Sequence, residues 1–174
     1  MGAAVQSAML KQPIRQGRSV AIYTREQRLR RDASRWTLVQ AILAPIQFLV
    51  FLCSTGLVAY YFLTGSGLAM ATASVVLKTF CLYAIMITGA IWEKEVFGQH
   101  LFAPAFFWED AVSMIVIALH TAYIVMLLGR MGSPETQLWV ALAGYLVYVI
   151  NAGQFLWKLR LARLEPVARM EAAS

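Results

Sequence analysis

From Leu38 to Leu63 the chain runs 26 residues without an Asp, Glu, Lys, Arg or His, and no other feature constrains its fold as strongly. Crossing a bilayer core as a helix takes about 17–25 apolar residues, and a helix can do so because it satisfies its own backbone polar groups. A soluble bundle would have to solvate this helix without one charged side chain on any face. Three further stretches behave alike. Leu68 to Trp92 contains only Lys78, while Ala111 to Gly129 and Thr136 to Trp157 carry no formal charge apart from any proton on His120. Hydrophobic residues make up 60% of the chain and charged ones 14%, which excludes an ordinary soluble domain. The expectation is an all-α polytopic membrane protein, a four-transmembrane-helix bundle spanning 36–159. A basic N-terminal extension (1–35) precedes it and a short tail (160–174) follows, with no internal repeat and no second domain.

Charge orients the spans. Thirteen of the fifteen Lys and Arg residues fall before Trp36, after Trp157 or in the middle connector, segments that share one side of a four-span protein. The opposite side has only Arg130, in "GRMGSPE". Positive charge stays in the cytoplasm, so both termini and the middle connector are expected there. The net charge of +6 is then topological. It points to anionic lipid headgroups as partners and not to nucleic acid. The N-terminus lacks the apolar core and cleavage site of a secretory signal. "MGAAVQS" has Gln6 where a myristoylation pattern needs Ser or Thr. Residues 1–21 read as an extension, and "YTREQRLRRDASRW" as a basic amphipathic stretch on the membrane surface.

Familiar catalytic motifs are absent from the sequence. It has no nucleotide-binding glycine loop, no HExxH and no serine elbow. Cys53 and Cys81 sit inside spans without metal-ligand spacing and read as small apolar residues, so no intrinsic metal site is expected. Only His120 lies within a span, which argues against a bis-imidazole haem, although one histidine suffices as the axial ligand of a magnesium chlorin.

Polar residues inside a span are costly and tend to face the bundle interior. At 100° per residue, Glu109, Ser113, His120 and Tyr123 share one stripe of the third span, Gln40, Gln47 and Ser54 one of the first, and Tyr148, Asn151, Phe155 and Lys158 one of the fourth. Lys78 falls on the line of Gly89, near that of Glu93. Together these stripes describe a polar cleft. Interhelical hydrogen bonding alone would account for Gln40, Gln47, Ser54 and Asn151 equally well. Lys78 and His120, both at mid-membrane, prefer the same sign of charge and make an awkward structural pair.

The connector "AIWEKEVFGQHLFAPAFFWEDAV" (90–112) concentrates four of the nine carboxylates, Glu93, Glu95, Glu109 and Asp110, among six large aromatic residues. The ends of the second and third spans place Glu93 and Glu109–Asp110 at the rim of the bundle. Pro104 breaks the helix within an aromatic segment expected at the interface. Carboxyl groups partly desolvated beside Trp92 and Trp108 suit proton donation. Glu95 is expected on the solvated side.

Three strings, "RRDASRWTLVQAILAPIQFLVFL", "ATASVVLKTFCLYAIMITGAIWEKEVFGQHLFAPAFFWEDAVSMIVIALHTAY" and "YVINAGQFLWKLRLARL", closely resemble the 2-vinyl bacteriochlorophyllide hydratase family. The resemblance covers about Tyr23 to Leu164; the turn at Arg130–Glu135 is only loosely similar. It implies addition of water across the C3 vinyl group of a chlorophyllide or bacteriochlorophyllide, giving 1-hydroxyethyl, as a hydro-lyase step of bacteriochlorophyll synthesis in phototrophic bacteria. It also makes other pigment-biosynthesis enzymes candidate partners, and brings no catalytic residue set with it.

That chemistry asks for no cofactor. Protonating the terminal vinyl carbon leaves positive charge on the carbon next to the macrocycle, and water attacks there. Glu109 or Asp110 is the expected acid, with Glu93 as base or as the ionised partner. Lys158 or Arg160 is positioned for the substrate's propionate. Lys78, His120, Tyr148, Asn151 and Trp108 are the other expected substrate contacts. A different class stays open: a membrane carrier holding a chlorin unaltered, with His120 or His100 on the magnesium and the carboxylates structural. A small transporter with Lys78 in its pathway is a third, weakened by the absence of a paired acid within a span.

Overall fold

The structure, a computed structural model, describes residues 22–171. The extension expected over 1–21 lies outside them. The order is α1 (Arg25–Ala33), α2 (Arg35–Thr64), α3 (Leu68–Phe97), α4 (Phe107–Leu128) and α5 (Pro134–Glu171), with no strand among the described residues.

Local chemistry sets each boundary. Thr24 opens α1 with a capping box: its hydroxyl accepts the Gln27 N–H and its own N–H donates to Gln27 Oε1. Ser34 ends α1 and starts α2, accepting the Trp36 N–H (3.2 Å) while donating to Glu95 Oε2 (2.6 Å) on α3. This one buried serine fixes the corner between the amphipathic helix and the first span. Glu95, expected to be solvated, is exposed yet serves as the acceptor there. Gly65 and Gly67 take left-handed backbone to turn α2 into α3, the conformation glycine adopts without penalty.

Four helices, Arg35–Thr64, Leu68–Phe97, Phe107–Leu128 and Pro134–Leu161, are long and apolar enough to cross a membrane. They are built inside out relative to a soluble bundle. Leu38, Leu49, Leu63, Phe80, Leu128 and Trp139 point outward, whereas Gln47, Ser54, Lys78, Ser113, His120 and Asn151 are buried. Such an exterior is stable only in lipid, so the chain is a membrane protein.

The bundle consists of two hairpins, α2–α3 and α4–α5. Packing is extensive within each and thinner between them, and the buried polar residues line this seam. Two boundaries differ from the sequence reading. Both α3 and α4 reach further into the connector than hydropathy suggests, so Glu93, Glu109 and Asp110 ride on helix ends. The loop proper is only Gly98–Phe106. At the other end α5 continues unbroken to Glu171, because loss of apolar character does not by itself stop a helix.

Candidate active site

Two polar centres lie in the seam. The first, at the connector end, is built on Glu93 from the last turns of α3 and on Glu109 and Asp110 from the first turn of α4. All three are buried. The Glu93 and Asp110 carboxyl groups lie close enough to act on each other, and one proton held between them would spare the site two buried charges side by side. The loop wraps onto the pair. Phe102 N–H donates to Asp110 Oδ2 (2.6 Å) and Ala103 N–H to Glu93 Oε2 (3.3 Å). Phe102 adopts φ +60°, uncommon for a bulky residue. This backbone aims its N–H at Asp110, and the cost is typically about 1–3 kcal/mol.

Glu109 is held differently. Lys158, from α5, donates to its Oε2 at 2.6 Å and also to the Ala105 carbonyl, so one ammonium ties together α5, α4 and the loop. Below it, Asn151 donates to Ser113 Oγ (2.5 Å). Aromatic rings close the outer side. Tyr23 stacks on Phe97 (5.7 Å between centroids), Trp92 and Phe106 meet edge to face (5.7 Å), and Arg31 lies 4.9 Å over the Tyr23 ring. Burial pushes the Tyr23 phenol up from its usual range, against the opposing charge of Arg31. Thus Trp92, Phe97 and Phe106 of the aromatic connector turn inward, whereas Phe102, Phe107 and Trp108 stay exposed.

The second centre lies deeper. Lys78 Nζ sits 3.9 Å over the centroid of the Tyr148 ring. In the amide orientation that satisfies both ends, Gln47 accepts from Lys78 Nζ (3.3 Å) and donates to the Cys81 carbonyl (3.1 Å). His120 Nδ1 bonds the Val116 carbonyl (2.8 Å) and its ring lies against Tyr145, whose hydroxyl meets Ser54 Oγ (2.5 Å). The imidazole fits because residue 144 is glycine: a Cβ there would come within 2.9 Å of two ring atoms.

Of the residues singled out from sequence, Glu93, Glu109, Asp110, Asn151 and Lys158 come together at the first centre, and Lys78, His120 and Tyr148 at the second. Trp108 (70% exposed), Arg160 and His100 face outward and join neither. Sequence reasoning missed Gly144, Tyr145 and the backbone donors of Phe102 and Ala103. The first two lie on the Tyr148–Asn151 face and could have been found by extending that stripe one turn. The backbone donors leave no trace in side-chain pattern.

Fold and site together define a polytopic helical membrane protein with a buried cluster of carboxyl groups at one end of its bundle. Residues 23–161 match the family model of 2-vinyl bacteriochlorophyllide hydratase (BCHF), and the chain belongs to that family. A 2-vinyl bacteriochlorophyllide hydratase of Cereibacter sphaeroides is 67% identical over 153 residues, covering 87% of this chain and 92% of the relative. One of Rhodobacter capsulatus is 63% identical over 146 residues, covering 83% and 84%. No solved structure matches the chain. The resemblance read from the three sequence strings is borne out.

Proposed function

We propose that this protein is a hydro-lyase that adds water to the C3 vinyl group of a chlorophyllide or bacteriochlorophyllide, in bacteriochlorophyll synthesis. The observation carrying the mechanism is the Glu93–Asp110 pair, two buried neighbouring carboxyl groups placed to share a proton, in a chain whose relatives are named as vinyl hydratases. The Phe102 N–H and the N-terminal turn of α4 favour negative charge on Asp110. Glu93, near the C-terminal end of α3, then keeps the proton. Glu93 delivers it to the terminal vinyl carbon, leaving the pair doubly negative beside a cation that forms on the carbon attached to the ring. That charge stabilises the cation, water adds to it, and the proton released from the new hydroxyl returns to the pair. Every proton is accounted for within the pair and water. Glu109, neutralised by Lys158, holds the site together, and the loop Gly98–Phe106 moves aside to admit the vinyl edge. The aromatic wall of Trp92 and Phe106 offers the ring a flat apolar face, with the Asn151 amide beside it.

Both termini and the loop are assigned to the cytoplasmic side of the inner membrane, on the asymmetry of Lys and Arg. The direct test is an assay of membranes with 3-vinyl chlorophyllide, following the blue shift as conjugation is lost. Product formation is expected; stoichiometric pigment retention without product would make the protein a carrier.

A further inference from the structure

The centre around Lys78 and His120 is not used by the proposed hydration. Both side chains are fully buried, Lys78 on α3 and His120 on α4, on either side of the seam between the hairpins. The bond from His120 Nδ1 to the Val116 carbonyl needs a proton on Nδ1, so in the neutral ring Nε2 keeps a lone pair. Nε2 is buried without a hydrogen-bond partner among the described residues, and a buried polar atom left so calls for an explanation. Lys78 meets the Gln47 amide oxygen and the Tyr148 ring, neither of which carries a negative charge.

A bare imidazole lone pair near a lysine amine with no carboxylate partner among the described residues complements a particular kind of ligand. It must offer an electrophilic centre and, at its edge, oxygen atoms rich in charge. A metal chlorin has both: a metal with an open axial position, and carbonyl and carboxylate groups on the periphery. The ligand class rests on the hydratase reading; the site does not.

Helical rise separates this centre from the acid pair. Asp110 and His120 are ten residues apart on α4, about 15 Å of rise, and Glu93 and Lys78 fifteen apart on α3, about 22 Å. The metal and the terminal vinyl carbon of one chlorin lie less than half the shorter of these distances apart. A ring ligated at His120 is therefore centred well below Glu93 and Asp110 along the bundle. We propose that Lys78 and His120 form a second pigment position at mid-membrane, where His120 Nε2 ligates the metal and Lys78 holds the oxygen-bearing edge. The thin packing between hairpins lets a flat ring part the seam. The position stores a pigment on its way to or from the acid pair.

The test titrates the Asp110→Asn protein in detergent with 3-vinyl chlorophyllide and with its metal-free counterpart. Two magnesium pigments per chain are expected, one of them lost on adding His120→Ala and restored by external imidazole. The metal-free pigment should be insensitive to His120→Ala. Without any substitution in the seam, ¹⁵N-histidine labelling should show the His120 Nε2 resonance shift on adding the magnesium pigment and stay unmoved with the metal-free one. An unmoved resonance with the magnesium pigment, or equal binding of it with and without His120, overturns the proposal. The hydratase reading fails separately, through absence of product from the unsubstituted protein.

Discussion

Lys158 Nζ lies 2.6 Å from Glu109 Oε2 and ties α5 to the first turn of α4. The pair is lopsided: the glutamate side chain is 7% exposed and the lysine 22%. Removing the cation strands a buried carboxylate, whereas removing the carboxylate leaves a lysine able to reach water along its flexible stem. Lys158→Leu should therefore cost about 3–5 kcal/mol of stability. Glu109→Gln, whose amide oxygen can still accept from Lys158, should cost about 1–3 kcal/mol. Thermal denaturation in detergent measures both, and equal losses would contradict this account.

Turnover should follow the other carboxyl groups. Asp110→Asn and Glu93→Gln break the proton-sharing pair, and each should lower the hydration rate by about 10²–10⁴-fold, the usual contribution of general acid catalysis. Pigment binding should survive both changes. Glu95→Gln keeps an acceptor for the Ser34 hydroxyl and should alter the rate little. Glu109→Gln should retain most of the turnover. Near-normal rates in Glu93→Gln and Asp110→Asn alike would remove the pair from the chemistry.

How much of this was legible in the sequence depends on the kind of interaction. The four spans follow from hydropathy alone, because a bilayer leaves the backbone no alternative to a helix. The stripes on α2, α4 and α5 were also legible: Gln47, Ser54, Ser113, His120 and Asn151 are all buried as helical periodicity requires. Pairing was not. Glu93, Glu109 and Asp110 look equivalent in one dimension, and only the fold gives Lys158 to Glu109 and leaves Glu93 to Asp110. Likewise Lys158, read as a ligand for the substrate's propionate, turns inward onto a carboxylate 49 residues away. Hydropathy also ended α3 at Trp92, since it registers charge and not helix geometry; α3 stops instead at Gly98, in left-handed backbone.

Phe102 tests whether the strained loop serves the pair. At φ +60° a glycine adopts the same backbone without penalty and keeps its N–H on Asp110. Phe102→Gly should therefore preserve turnover, whereas Phe102→Pro removes the donor and cannot adopt this φ. The proline variant should lose activity along with loop order, read as faster amide exchange at Ala103 and Phe106.

Orientation is checked by reporter fusions. With thirteen of fifteen basic residues expected on one side, fusions at both ends should report cytoplasm and one at Ser133 the opposite face. A cytoplasmic Ser133 would move the acid pair to the other surface of the membrane.

Gly144 gives the most local prediction. A Cβ at this position would stand 2.9 Å from Nδ1 and Cε1 of His120, closer than side chains pack. Neither neighbour yields easily, because Nδ1 is held by the Val116 carbonyl and the ring rests against Tyr145. Gly144→Ala should thus destabilise the bundle by about 1–3 kcal/mol despite alanine's better helix propensity. The cost belongs to a contact between two residues, so it should not add to that of removing the imidazole. In the double variant Gly144→Ala/His120→Ala, the new methyl fills part of the space the ring vacates. Its loss of stability should fall below the sum of the two single losses. Thermal unfolding of the four proteins in the same detergent gives the coupling directly. A coupling near zero would mean that α4 and α5 do not approach each other at this point.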